Sequence, residues 1–513
     1  MSKQKSKCVL VVAGPGAGKT RTMVKKALEC LSDLTPHRFM ALITYTNAAT
    51  EKIKERLQEK IEIPPNVFIG TIHSFMNRFI LKPYGKIFGL LPEDYFIVDE
   101  FDFSFLDNMQ FESNIDRRIC ERAIENKKFS KGVVSYNQIE SKATALLNKE
   151  KSTIRKSLGN RLQFLFIDEI QDATSIQYSF FDNLRKEGKT EIYCIGDPEQ
   201  YIYGFTYIKK GQKAVDFNKI PMKRFQNNNS VIKEYISEEE VNKRSTSKIV
   251  KFLNNFRLPS QKVDLIRPED PDIIFITKTD IKEIVVSFNT LCEKLTSKNV
   301  REDIDYMKFF LSYENNTFIP AYSVCPMEKI SNEDVKPRSI LKMVMDYILA
   351  VSGYSLTDIL QECNLSLINF RKFGVSVLHY IKTNPELNEK DLKKYITEKL
   401  CVKFNSENQE TKNSFDNLII HFKALGSSQN RNSSIHKVKG LEATAVLALA
   451  ETKNRLLKWI EIDQQTRAND KADECRIGFV AFSRARNFLA IACLEKLNDK
   501  HLDKLKQLGV LII

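Results

Sequence analysis

The segment Ala13-Gly14-Pro15-Gly16-Ala17-Gly18-Lys19-Thr20 follows the apolar run CVLVV (8–12) and opens an amphipathic stretch over 19–31. Glycines at this density let successive backbone N–H groups converge on phosphate oxygens, and a helix that starts at the loop adds a favourable field for anions. In such a loop Lys19 would reach the β- and γ-phosphates and the Thr20 hydroxyl would hold Mg²⁺; Ala13 stands where the strict pattern has Gly. Much further along, FLFIDEIQDATSIQYSFF (164–181) ends an apolar run in Asp168 and Glu169, followed by Gln171 and Asp172. Two acids directly behind a buried strand cost desolvation free energy unless a cation faces them. The phosphate loop provides the reason. Asp168 would bind the metal directly or through water, and Glu169 would orient and deprotonate an attacking water. A solvated helix start would explain either acid alone, but not the pair in a chain that carries this loop.

These residues need a scaffold that brings distant loops together. CVLVV (8–12), RFMALIT (38–44), VFIG (67–70), FLFIDE (164–169) and EIYCIGD (191–197) read as buried strands, with helical patterns at 19–31 and 48–60. Strands alternating with helices imply an α/β fold with a parallel sheet covered on both faces. In such sheets the loops at the carboxyl ends of the strands carry the ligand, and every motif here falls in one of those loops. With 513 residues and 59.3 kDa the chain should divide into two to four domains.

Composition excludes more than it selects. No apolar run approaches the roughly 18 residues needed to span a bilayer, and MSKQKSKCVLVVAG runs into the glycine-rich loop rather than a cleavage site, so a cytoplasmic protein is expected. The ten cysteines form no C-x-x-C pair and no Cys/His ligand spacing, which points to reduced core thiols and away from zinc or iron–sulfur sites. A net charge of +14 suits nucleic acid and a lysine-rich solvated surface alike.

The motifs, taken in order, resemble those of UvrD/Rep/PcrA-type superfamily 1 helicases. LITYTNAA (42–49) is similar to the family's Thr-Phe-Thr-Asn segment, and GTIHSF (70–75) to Gly-Thr-Phe-His-Ser. Asp168-Glu169-Ile170-Gln171-Asp172 matches Asp-Glu-x-Gln-Asp, and GDPEQYIYGF (196–205) resembles Gly-Asp-x-x-Gln-Ser-Ile-Tyr-Gly-Trp with Phe205 in the Trp place. NKRSTSKI (242–249), IHKVKGLEA (435–443) and RIGFVAFSRAR (476–486) resemble Asn-Tyr-Arg-Ser, His-Ser-Ala-Lys-Gly-Leu-Glu and Arg-Leu-x-Tyr-Val-x-x-Thr-Arg-Ala.

The resemblance implies an ATP-dependent DNA helicase that moves 3′ to 5′ on single-stranded or partly duplex DNA, with ATP and Mg²⁺ as cofactors. It implies that Gln200 links the γ-phosphate to the DNA side, with Gln171 and Asp172 relaying closure. Arg244 and Arg484 would complete the phosphate site from a second lobe, where such arginines are worth roughly 10³–10⁵ in rate. Glu442 would hold the ribose. Stacking bases would meet Tyr45, Tyr203 and Phe205, while Thr44, Asn47, Thr71, His73 and His436 would touch phosphate or sugar. A loop aromatic also serves often as a core plug, and His436 could equally anchor its own loop.

The expected architecture is two RecA-like parallel-sheet motor domains with mainly helical insertions. The first motor domain, 1A, is expected at 1–75 and 161–235 around a helical 1B at 76–160. The second, 2A, is expected at 236–284 and 421–513 around a reduced 2B-like helical insertion at 285–420. Helices are predicted within 339–363 and 389–400, and the Asn/Ser-rich stretch 403–434 reads as a flexible return. After Arg484 only a strand, a helix and GVLII remain, so no appended nuclease is expected. This compactness resembles the helicase-like subunits of Gabija antiphage systems, which implies an OLD-family nuclease as partner. A stand-alone repair or recombination helicase, and a DNA-sensing ATPase that does not unwind, fit the same motifs. One departure concerns the base. The family's stacking Tyr is replaced by Lys243, Gln4 lies too near the first strand to match the adenine-reading Gln, and Arg21 makes no evident adenine-specific bond, so weak discrimination among nucleotides is expected.

Overall fold

The computed structural model describes residues 7–92, 95–98, 101, 103, 106, 109, 111, 113–149, 153–202, 216–235, 241–257, 260–263, 270–299, 307–330, 340–352, 356–384, 387–400, 415, 418 and 430–513. The chain divides into two compact units, one of residues 1–273, 454–487 and 499–511, the other of residues 274–453, 488–498 and 512–513.

In the first unit the apolar runs become strands β1 (Cys8–Val12), β2 (Phe39–Thr44) and β3 (Val67–Thr71), then a small β4–β5 pair (Phe96–Val98, Val133–Ser135). They continue as β6 (Leu162–Ile167), β7 (Glu191–Gly196) and β8 (Ile232–Tyr235), with a second small pair, β9–β10 (Val241–Asn242, Lys262–Val263). The main sheet runs β3-β2-β6-β7-β1-β8 with parallel pairing throughout. Alternation along β1 shows why the sheet is covered twice. Cys8, Leu10 and Val12 join one apolar cluster, while Val9, Val11 and Ala13 join the other. Helices α1 (Lys19–Cys30) and α2 (Asn47–Gln58) supply Met23, Val24, Ala27, Ile53 and Leu57 to the second cluster. The first is closed by α3 (Ile72–Met76), then, after α4 (Asn114–Ser130), by α5 (Tyr136–Lys149), α6 (Thr153–Arg161) and α7 (Ser175–Glu187).

Both ends of the sheet are specified. At the amino ends, the Arg38 guanidinium nitrogen Nη2 lies 2.9, 2.8 and 2.7 Å from the carbonyl oxygens of Gly159, Leu162 and Lys189. At the carboxyl ends, Val12 sits opposite Gly196 and Ile167 opposite Cys194, so the loops after β1, β6 and β7 emerge side by side.

The second unit holds most of a seven-stranded sheet ordered β13-β14-β12-β15-β16-β11-β17. Its strands are β11 (Ile273–Ile276), β12 (Lys308–Ser312), β13 (Glu328–Lys329), β14 (Asn430–Ser434), β15 (Ala443–Ala450), β16 (Ala485–Cys493) and β17 (Val510–Ile512). The β11–β16, β12–β14, β12–β15 and β13–β14 pairs are parallel. A separate helical cluster, drawn from helices Ile340–Ser352, Leu356–Glu362, Leu367–Thr383 and Glu389–Leu400, is built on Val344, Tyr347, Phe370, Val377 and Ile396.

Two elements differ from expectation. β12 lies inside the span 285–420 expected to be a helical insertion, yet it pairs with β14 and β15, because KFFLS is a buried-strand run too short for periodicity to identify. The polar return expected over 403–434 lies partly outside the described residues, and its last five, Asn430–Ser434, form β14. Asn and Ser there give no strand signal of their own; the ladder to β12 recruits them. Among the described residues no helix is long and apolar enough to cross a membrane.

Candidate nucleotide site

The phosphate loop leaves β1 at Ala13, whose N–H donates to the Gly196 carbonyl at 2.9 Å and ties it to the β7 end. Gly16 has φ 73°, and a Cβ there would lie 2.2 Å from the Asn242 side-chain oxygen, so both conformation and space require glycine. Gly18 closes the loop as the left-handed cap before α1. Lys19 is buried, Thr20 is half-buried and Arg21 is exposed.

The β6 loop meets this helix start. Thr20 Oγ1 donates to Asp168 Oδ2 at 2.9 Å, and Lys19 Nζ lies 3.7 Å from Glu169 Oε2. Glu169 adopts φ 51°, ψ 44°, a left-handed conformation that costs an ordinary side chain about 1–2 kcal/mol. Three contacts keep it there. Its N–H donates to Asp168 Oδ1 at 3.0 Å, Gln171 Nε2 donates to its carboxylate, and Gln171 Oε1 accepts from the Asp197 N–H at 3.1 Å. A Cβ on Gly196 would lie 2.3 Å from that Gln171 oxygen, so this bridge needs glycine at the end of β7. Strain held by surrounding contacts at an acid aimed at a lysine is characteristic of a reacting group.

Asp168 is 2% exposed. Burial first, and the neighbouring Glu169 charge second, raise its carboxyl well above the usual range, against the opposing effects of Thr20 and Lys19. A hard cation between this carboxylate and Thr20 would relieve that cost. Mg²⁺ uses one or two carboxylates plus phosphate oxygens and water, so Thr20 and Asp168 fit it without a larger ligand cluster. No group of three or more His, Cys, Asp or Glu side chains suited to a metal occurs among the described residues.

The β7 loop and the segment around Arg484 form the third side. Gln200 Nε2 donates to Asp197 Oδ2 at 2.9 Å, and Arg484 Nη2 donates to Gln200 Oε1 at 3.3 Å and to Ser483 Oγ at 2.9 Å. Arg484 is 1% exposed, with its Nε on the Val480 carbonyl at 3.1 Å. Arg244 Nη1 donates to the Ser483 carbonyl at 3.2 Å. Lys19, Thr20, Asp168, Glu169, Gln171, Gln200, Arg244 and Arg484 therefore gather within one unit. Three neighbours were not foreseen. The Asn242 side-chain oxygen accepts from the Arg244 and Ser245 N–H groups, Gln261 Nε2 donates to the Pro15 carbonyl at 3.0 Å, and the Arg257 guanidinium packs on Gly14. Asn242 begins a recognised motif; Gln261 and Arg257 carry no sequence signal.

The expected DNA contacts divide. Thr44 is buried, with its hydroxyl on Thr46 and Thr50, and Thr71 caps α3 by accepting from the Ser74 N–H. Tyr45 is half-buried against the core, whereas Asn47 is exposed at the start of α2. His73 stacks on Tyr136 at 4.8 Å and lies 3.7 Å from Glu140. Glu140 also accepts from Thr174 at 2.7 Å. Burial would raise the Glu140 carboxyl, but the bonds from His73 and Thr174 outweigh it and hold the carboxyl below its usual range. Tyr203 and Phe205 lie outside the described residues. His436, edge-on to Tyr313 at 5.4 Å, and the exposed Glu442 belong to the second unit.

A glycine loop feeding a helix, an acid pair at the next strand but one, and a Gln–Arg contact on the third loop together have the arrangement of a P-loop nucleotide-binding site on a parallel sheet. The family model described as an AAA domain matches residues 1–206. The chain is 30% identical over 215 residues to the Gabija protein GajB of Bacillus cereus (strain VD045), 41% of this chain and 40% of that protein. It is 24% identical over 403 residues to a probable DNA helicase II homolog of Mycoplasma capricolum subsp. capricolum, covering 67% and 53% of the two chains. It is also 24% identical over 245 residues to the ATP-dependent DNA helicase PcrA of Staphylococcus aureus, covering 38% and 32%. In these motifs and over these spans the chain is similar to UvrD/PcrA-type superfamily 1 helicases. It spans about half or less of the length of these relatives.

Proposed function

We propose that this chain couples Mg-ATP hydrolysis to 3′–5′ movement along single-stranded DNA as a UvrD-like helicase motor. The loop amides, Lys19 and Thr20 bind the triphosphate. Glu169 takes the proton of the attacking water, and its strained backbone, set by Gln171 and Asp168, fixes the direction of its carboxylate. Thr20 and Asp168 would hold Mg²⁺, whose charge would offset that of the triphosphate. Arg244 and Arg484 offset the charge developing on the transferred group, and Gln200 reports it to Asp197 and to the loop beyond.

The observation that supports this reading most is the paired contact of Thr20 with Asp168 and Lys19 with Glu169. Mg²⁺-dependent ATPase assays with and without single-stranded DNA test it, and vigorous turnover by Glu169→Gln would remove it. The similarity to a Gabija protein supports a role in antiphage defence; an OLD-family nuclease as partner is part of the same proposal and rests on the family resemblance alone. Similarity to DNA helicase II over 67% of the chain supports a stand-alone repair or recombination helicase instead. Co-purification with a nuclease separates these, and strand displacement separates both from a DNA-sensing ATPase that does not unwind.

A further inference from the structure

The turn Pro198–Gln200 faces two ways. Gln200 meets Asp197 and Arg484 toward the nucleotide site, while its neighbour Glu199 meets Arg467 on another side of the turn. Arg467 Nη2 lies 2.6 Å from Glu199 Oε2, with the two side chains 1% and 11% exposed. The same guanidinium donates through Nη1 to the Glu461 carbonyl at 3.0 Å and stands over the Phe256 ring. One residue further on, the Tyr201 carbonyl accepts from Arg476 Nε at 3.2 Å. Arg476 is 1% exposed, pairs with Asp473 and covers the Phe217 ring at 4.1 Å. Residues 199, 200 and 201 are thus gripped in succession by Arg467, Arg484 and Arg476.

This arrangement is a poor way to gain stability, because a dry ion pair is often no better than an apolar pair of equal volume. It is an effective way to hold one geometry. Arg484 and Gln200 face the candidate nucleotide site, and in the sequence the buried Tyr201 and Ile202 are followed by Tyr203 and Phe205, the residues expected to stack on DNA.

We propose that Glu199 and Arg467 are positioning residues that tie strand occupancy to the placement of Gln200 and Arg484. The pair then sets how far DNA accelerates hydrolysis, without setting how ATP binds. This inference rests on the helicase reading above.

The test is steady-state ATP hydrolysis by the full chain, with oligo-dT and ATP varied separately. Glu199→Gln keeps the shape and removes the charge, Arg467→Lys keeps the charge, and Glu199→Gln with Arg467→Gln leaves no lone buried charge. In Glu199→Gln and the double variant, DNA-stimulated kcat should fall about tenfold or more, while KM for ATP and the DNA-free rate stay within about twofold. Arg467→Lys should retain most of the stimulation. If the single variant is insoluble, the double variant decides. DNA-free and DNA-stimulated rates falling in parallel, or unchanged stimulation, would overturn the positioning role alone. A wild-type protein that DNA does not stimulate would overturn the helicase reading and this inference together.

Discussion

Replacing Asp168 by Asn should make the metal-free protein more stable and its chemistry worse. The buried carboxyl is raised from 3.8 to about 7 by burial and by Glu169. Ionising this buried carboxyl in the folded protein therefore costs about 1–3 kcal/mol, with Thr20 and Lys19 offsetting part of the desolvation. Asn keeps the shape and still accepts from Thr20. The direction with pH follows from the raised value. Between the unfolded and folded pKa the native state holds a proton that the unfolded chain has released. Stability from this group is therefore greatest near pH 4, declines as pH rises toward about 7, and is level above it. The advantage of Asp168→Asn should be near zero at about pH 4 and complete at about pH 8. Trp459, the one tryptophan, is buried in the unit that holds the site. Its fluorescence during urea unfolding in EDTA therefore follows the relevant unit. Adding Mg-nucleotide should favour the wild type, since ligand at about 100 times its Kd contributes about 2.7 kcal/mol and the Asn variant, lacking the metal carboxylate, gains less of it. An Asn variant no more stable than wild type at about pH 8 in EDTA would refute the reasoning, because Lys19 and Thr20 would then outweigh desolvation.

Glu169→Gln should lower kcat by at least about 100-fold while nucleotide binding, followed by a fluorescent analogue, changes little. Gly196→Ala should drive Gln171 from the Asp197 N–H and cost about 1–3 kcal/mol in denaturant titration, with a fall in kcat as Glu169 loses its orientation. Glu140→Gln should cost about 1–2 kcal/mol at neutral pH. Because the Glu140 carboxyl is held below its usual value, the difference should be full above about pH 4.5 and shrink as pH falls through the folded value. With Lys243 in place of a stacking Tyr and exposed, GTP or CTP should support DNA-dependent turnover within about tenfold of ATP, and a hundredfold preference would show that another residue reads adenine.

The first sheet was legible because its strands are buried on both faces and read as unbroken apolar runs, and β1 occupies the very span CVLVV marks. The acid pair was legible because two charges behind such a run demand a partner, and Thr20 and Lys19 provide it. β14 was not legible, since its Asn and Ser side chains carry no strand preference and a ladder formed with residues more than a hundred positions away decides the matter. Glu199 and Arg467 escaped for the same kind of reason. A single Arg in QQTRAN looks like a solvated surface residue until folding brings a carboxylate 2.6 Å from it. Thr44, Thr71 and His73 show the opposite limit: a hydroxyl or imidazole in a loop motif has the same appearance whether it meets a ligand or fastens its own backbone.

The Arg38 contacts make the sheet mechanically asymmetric. One guanidinium ties together the entrances to β2, β6 and β7, while the candidate site residues Thr20 and Asp168 meet at the opposite rim. The strands behave as the ribs of a fan pinned at its handle, where a slight splay at the pin is multiplied at the rim. Arg38 lies at the amino ends of the strands, away from the phosphate loop and the two acids at their carboxyl ends. Amide exchange should record this as a gradient, slowest beside Arg38 and fastest where β1, β6 and β7 run out into their loops.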